Sequence, residues 1–294
     1  MSKIRKQENF WGYLFILPNF IGFALFTIVP VITAFVLSLS NYDIISQFEF
    51  VGIKNYLKLF ADRRFLQAIK NTVYFSVLTV PAGIVLAFLV AVLLNKKIRG
   101  VKIIRTFVFI PVITSMVAVS LVWSMLYEDN SGLLNVILNA IGLKSVGWLT
   151  DPKVAMISIA IMSIWKNLGY NMTIYLAGLQ GVPEELYEVA TIDGANGFQK
   201  MLRITVPLLH PTTYFITLTS LIGSFQVFDQ VSIMTQGGPV NSTTTIAMYL
   251  YNFGFKFFNM GYACAAAYVL FILVFIVSIM QNHFSKKMDM TGEN

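Results

Sequence analysis

Charge-free apolar windows about 20 residues long follow one another along this chain, and few folds accommodate that pattern. Coiled at 1.5 Å per residue, such a window matches the hydrocarbon thickness of a bilayer. Six windows are read, at 11–39, 72–94, 106–127, 154–179, 208–234 and 262–281. Backbone polar groups in hydrocarbon must bond internally, so each window is expected to be a helix. Composition agrees, with 56% of the 294 residues hydrophobic, 12% charged and a mean hydropathy of +0.71. Soluble domains run at about 25% charged. A soluble fold would leave most of this apolar surface with no place to be buried. The expected fold is an all-α membrane protein, a polytopic bundle of six transmembrane helices forming one domain over residues 1–294.

Local signals fill in the connections. Pro18 and Pro30 are expected to kink the first span. Tyr56, Leu57, Leu59, Phe60, Phe65 and Leu66, within the mixed stretch 41–71, suggest short amphipathic helices at the outer surface. Asp129-Asn130-Ser131-Gly132 reads as a turn, with a short apolar helix near 133–141. Lys166-Asn167 interrupts the fourth window. Gln236-Gly237-Gly238-Pro239 is a second turn, and 241–258 reads as an outer loop with a short helix.

Net charge is +7, with a pI near 9.4. The basic residues cluster at span ends, which fits a membrane leaflet and not nucleic acid. With six spans both termini share a side. Twelve basic residues lie on that side: Lys3, Arg5, Lys6, Lys96, Lys97, Arg99, Lys102, Arg105, Lys200, Arg203, Lys286 and Lys287. Eight lie in the opposite loops, and Lys166 falls within a span. The compact cluster at 95–105 decides the orientation, with both termini cytoplasmic. The first apolar run is too long for a signal peptide and lacks a cleavage site, so it is read as an uncleaved span. The single cysteine, Cys264, allows no internal disulfide and reads as a core residue.

The longest charged interval on the cytoplasmic side is 181–207, GVPEELYEVATIDGANGFQKMLRITVP. Pro183 suits the first turn of a helix. Glu184, Glu185 and Glu188 then sit near its positive end. Leu186, Val189 and Ala190 share a face. Asp193-Gly194 is expected to break the helix. A second helix follows over about 196–204, with Phe198, Met201, Leu202 and Ile204 on a stripe. Two readings fit a helix-turn-helix with one greasy face: a docking element for a soluble partner, or a connector lying on the membrane surface.

The spacing of Glu188-Val189-Ala190, three residues, Gly194, nine residues, Ile204-Thr205-Val206-Pro207 resembles the EAA loop of binding-protein-dependent ATP-binding-cassette importers, E-A-A-x3-G-x9-I-x-L-P. Val189 and Val206 depart from it and stay apolar. NYDIISQFEFVGIKNY at 41–56 and MTQGGPVNSTTT at 234–245 resemble the carbohydrate branch. The resemblance covers nearly the whole chain. It implies a permease subunit that forms the pathway for a sugar or oligosaccharide in a bacterial or archaeal cell membrane. It also implies the partners: a second permease subunit that is a homologous different chain, two ATPase subunits that bind the ATP, and an extracellular binding protein. Glu188, Ala190, Asp193, Gly194, Ile204 and Pro207 would then couple to the ATPase.

No phosphate loop is readable in the chain itself, no residues have metal-ligand spacing and no catalytic constellation appears, so neither a cofactor nor enzymatic activity is expected. Polar groups at span depth are costly and face a cavity or a partner helix. Trp165, Asn167, Gly169, Ser220, Ser224, Gln226 and Asp229 are the candidates for the pathway. Amides and carboxylates beside aromatic faces suit sugars. Packing between helices fits the same residues. An ion-driven transporter would call for intramembrane carboxylates and internal repeats. Only Asp229 qualifies, and no repeat is seen.

Overall fold

The computed structural model describes residues 3–43, 48–96 and 99–291. Lys97 of the basic cluster and residues 44–47 of the 41–56 stretch lie outside the described residues, as do the side chains of Lys3, Arg5, Lys6, Lys286 and Lys287. Among the described residues the structure is helical, apart from one isolated antiparallel bridge, Ser40 to Phe50. Among the described residues, three helices are long and apolar enough to cross a bilayer: Asn9–Ser38, Arg63–Leu94 and Met260–His283. A bent pair of helices adds a fourth if it counts as one span.

The chain packs as two compact units, Met1–Asp62 with Leu250–Val269, and Arg63–Tyr249 with Leu270–Asn294. In the first unit, α1 (Lys3–Phe23) runs through a π-helical turn, Ala24–Ile28, into α2 (Val29–Ser38). Pro30 has no N–H and its ring crowds the preceding turn, and the wider π turn just before it absorbs that crowding. After α2, the side chain of Asn55 in α3 (Lys54–Ala61) donates to the carbonyls of Ser38, at 3.0 Å, and Ser40, at 2.8 Å. An amide from elsewhere in the chain thus satisfies carbonyls that the helix end leaves unpaired.

The second unit is built on α4 (Arg63–Leu94), α5 (Val101–Ile113), α6 (Met116–Leu126), α7 (Leu133–Ala140) and α8 (Ala155–Gln180). After these come α9 (Glu184–Ile192) and α10 (Gly197–Lys200), a π turn at Met201–Thr205, and α11 (Val206–Leu208). Then follow α12 (His210–Phe225), α13 (Asp229–Met234) and α14 (Ile246–Tyr251). A last helix, α15 (Met260–Thr291), begins in the first unit and ends in the second.

Helix α8 is central to the second unit and packs against α4, α5, α12 and α13. Two cores flank it. One joins Phe75, Val119, Met156, Ile159, Met162 and Val231. The other joins Ala87, Ala91, Met172, Tyr175, Leu209 and Ile216. The small residues of α4 let α8 approach closely, as helices do in membranes where lipid is as apolar as the core.

The expected third and fifth spans are not continuous helices. The window 106–127 bends by 100° between α5 and α6. Thr114 and Ser115 are extended there, with ψ of 145° and 136°. The window 208–234 breaks between Phe225 and Asp229. Each break frees backbone carbonyls, and each finds a donor far along the chain. Lys166 Nζ donates to the carbonyls of Pro111, at 3.0 Å, and Val112, at 3.2 Å. Thr245 Oγ1 donates to the carbonyl of Val227 at 2.8 Å. The second span is also longer than expected, since α4 starts at Arg63 and not near 72.

Candidate functional site

A cavity of about 450 Å³ lies between α4, α8, α12 and the break before α13. Ser163, Asn167, Tyr170 and Asn171 reach it from α8, at helical spacings that put them on one face. Thr219, Ser220, Gly223 and Ser224 border it from α12, and Gln226, Asp229 and Gln230 from the break and the start of α13. Thr79 and Gly83 line it from α4, and Met116 from the first turn of α6. The lining is rich in amides and hydroxyls, and among the described residues its one charged side chain is the carboxylate of Asp229.

Five of the seven pathway candidates border this cavity: Asn167, Ser220, Ser224, Gln226 and Asp229. Ser224 also packs, its hydroxyl 2.7 Å from that of Ser76 on α4. Asn167 Nδ2 donates to the carbonyl of Ser163 one turn earlier, at 3.0 Å. Trp165 and Gly169 do not line the cavity and stand toward α5 and α6. The ring of Trp165 lies 5.5 Å from that of Trp123 on α6. A Cβ on Gly169 would run into the carbonyl oxygen of Val108 and come within 2.9 Å of Phe109 Cα.

Sequence reading missed Ser163, Gln230 and the whole contribution of α4. Ser163 was findable, four residues before Asn167 and so on the same face. Nothing local marks Thr79, because its place at the cavity depends on how α4 crosses α8.

The 181–207 interval forms two short helices, α9 and α10, with the π turn and α11 continuing the second. Pro183 is the N-cap of α9, one position before the expected first turn. Gly194 has φ +76°. Around it Ala195 N donates to Ala190 O at 2.8 Å and Gly194 N to Thr191 O at 3.1 Å. That is the paired closure of a helix ending in a left-handed glycine. Asn196 then opens α10 with a capping box: its side chain accepts from Gln199 N at 2.9 Å, and Gln199 Oε1 accepts from Asn196 N at 2.9 Å. Tyr187 and Thr205 share a hydrogen bond of 2.8 Å that ties the two helices together. Pro207 lies within α11, and one residue separates α11 from α12.

Leu186, Val189, Ile192, Phe198 and Leu202 are exposed on this hairpin, Ile192 at 86%. Glu188, Asp193 and Gly194 are exposed too, and Ala190 and Ile204 partly buried. Among the described residues no group of His, Cys, Asp or Glu could hold a metal ion.

Long apolar helices, a polar cavity between them and a closed hairpin off the bundle define a membrane permease. The chain belongs to the family of binding-protein-dependent transport system inner membrane components, whose sequence profile matches residues 62–290. It is a permease subunit and not an enzyme. It is 36% identical over 292 residues to the lactose transport system permease protein LacF of Rhizobium radiobacter, covering 97% of both chains. It is 34% identical over 280 residues to the trehalose/maltose transport system permease protein MalF of Thermococcus litoralis, covering 95% of both. Among solved structures it is similar to a chain of a bacterial alginate ABC transporter crystallised with an alginate pentasaccharide-bound periplasmic protein. There the TM-score is 0.86, the identity 26%, and 96% of each chain is covered.

Proposed function

We propose that this chain forms the translocation pathway for an uncharged sugar or oligosaccharide in an ATP-driven importer. It acts as one permease domain of six spans in a bacterial or archaeal cell membrane, with both termini and the 181–207 hairpin cytoplasmic. The observation that carries the reading is the cavity lining. Asn167, Asn171, Gln226 and Gln230 bring amides and Ser163 and Ser220 hydroxyls, the donor and acceptor mix that a sugar's hydroxyls require. Among the described residues the lining offers no Lys or Arg to pair with a uronate, and the Asp229 carboxylate would repel one. The full-length likeness to permeases named for lactose and for trehalose and maltose supports the class of solute.

ATP is bound by partner subunits, and the exposed apolar residues of α9 and α10 dock on them. A second permease, a homologous different chain, completes the pathway, and an extracellular binding protein delivers the solute. ATP-driven closure of the ATPase pair would shift the spans between inward- and outward-facing states through differential contacts at the hairpin.

The test is uptake of labelled neutral and uronate oligosaccharides by cells expressing the assembled transporter. Neutral sugars are expected to enter and uronates not. Asn167→Ala, Gln226→Ala and Asp229→Ala should change which neutral sugar is preferred. If all three variants match wild type, the cavity is a packing defect and the pathway lies elsewhere.

A further inference from the structure

We propose that Lys166 is a positioning residue of the cavity: its ammonium fixes the α5–α6 break and thereby sets where α6 borders that space. Lys166 is buried, at 7% exposure, and its side chain donates to the carbonyls of Pro111 and Val112. These belong to the last turn of α5, where carbonyls lose their usual partners four residues on, Pro111 keeping only Thr114 N at 3.3 Å, and the helix carries partial negative charge. A lysine at a helix end normally reaches for water along its stem. Here that route is closed, because Lys166 lies about 17 Å from the start of α8 and about 21 Å from its end at 1.5 Å per residue. The ammonium therefore rests on the carbonyls that the break exposes, and the break rests on the ammonium.

The neighbours of Lys166 act on the same two limbs. Gly169, one turn on, packs on the backbone of α5 at Val108 and Phe109. Trp165 packs on Trp123 of α6. One face of α8 thus grips α5 and α6 while Ser163, Asn167 and Asn171 line the cavity. Met116, the first residue of α6 after the break, lines the cavity as well. Losing the ammonium removes this donor from the Val112 carbonyl and leaves the Pro111 carbonyl only the Thr114 N–H at 3.3 Å, which weakens the hold on the turn between α5 and α6.

The experiment reads α6 directly and does not depend on which solute is carried. In a Cys264→Ala background, Met116→Cys and Thr219→Cys report the α6 and α12 borders of the cavity through their rates of reaction with N-ethylmaleimide in the assembled transporter. Lys166→Met keeps the chain length and removes the charge. It is expected to change the rate at position 116 by about five-fold or more, the effect of roughly 1 kcal/mol on a local equilibrium. The rate at position 219 should stay as it was. Lys166→Arg, which keeps a cation able to donate to both carbonyls, should restore the rate at 116.

An unchanged rate at 116 in Lys166→Met overturns the proposal. So does an equal change at 219, which means general loosening. A Lys166→Arg protein that behaves like Lys166→Met overturns the role of the cation. If Lys166→Met fails to reach the membrane, Lys166→Gln is labelled in its place, with the same outcomes deciding.

Discussion

Gly194 adopts φ +76°, and a Cβ built there would meet nothing within 4 Å. A substitution is therefore strained by its own backbone and not by a neighbour, at about 1–2 kcal/mol for a residue with a Cβ. The strain would be relieved by opening the paired closure between Ala190, Thr191, Gly194 and Ala195, which re-aims α10. Valine is the discriminating choice, because asparagine and aspartate tolerate the left-handed region better. Glu188 is exposed on α9, so Glu188→Gln leaves the fold alone and removes only a charge that a partner could use. A charge-assisted hydrogen bond is worth roughly 1.5–3 kcal/mol. Gly194→Val is expected to lower both ATPase co-purification and uptake more than Glu188→Gln, with membrane levels unchanged for both. Full ATPase retention by Gly194→Val would mean that the hairpin is a passive connector.

At the scale of elements, the turns and caps follow from residues close together in sequence, and the broken spans do not. The turn after α6 is an example of the first kind. The Glu128 carboxylate accepts from Asn130 N at 3.0 Å, from Ser131 Oγ at 2.9 Å and from Ser131 N. The hydrogen bonds from Ser131 hold its carboxyl below the ordinary value of 4.5. A carboxyl lowered in the folded chain favours that structure most when ionised. Its contribution is present above the ordinary value and is lost as pH falls through the lowered one. Amide exchange at Asn130, Ser131 and Gly132 should show constant protection, after correction for intrinsic rates, from pH 8 to pH 6. Protection should fall only on acidification below the ordinary carboxylate range, and Glu128→Gln should remove that dependence. Protection that fell between pH 8 and pH 6 would assign the turn to another group.

The broken spans obey a different rule. Hydropathy reads 106–127 and 208–234 as unbroken, because Thr114, Ser115 and Gln226 are too few to interrupt an apolar window. Yet backbone can leave the helix at membrane depth only where something satisfies it. Lys166 is 55 residues from Pro111 and Thr245 is 18 from Val227. Lys166 lies outside any 20-residue window that holds the α5–α6 break, and Thr245 lies beyond the apolar window 208–234 that holds the other, so hydropathy could not reveal either donor.

For the whole molecule, the proposed orientation makes a separable prediction. With Cys264 replaced, a single cysteine at Gly197 on the hairpin should react only with reagents that cross the membrane, and one at Asn241 with an impermeant reagent added outside. Asn241 is exposed, although its carbonyl accepts from Asn71 Nδ2 at 2.9 Å. Labelling of position 197 by an impermeant reagent in intact cells would reverse the topology and remove the docking role with it.

The sequence by itself determined that the chain is helical and belongs in a membrane, and how its hairpin turns. These rest on summed apolar area and on contacts within a few residues, such as Asn196 with Gln199 and Gly194 with Ala190. Only the tertiary structure decided where the third and fifth windows break and which polar groups meet at the cavity. It put Asn167 and Gln226 on the lining and turned Trp165 and Gly169 toward α5 and α6. The reason is that a polar group in an apolar interior is placed by the partner that satisfies it. For Lys166 and Thr245 that partner is a carbonyl which only the packed bundle brings within reach.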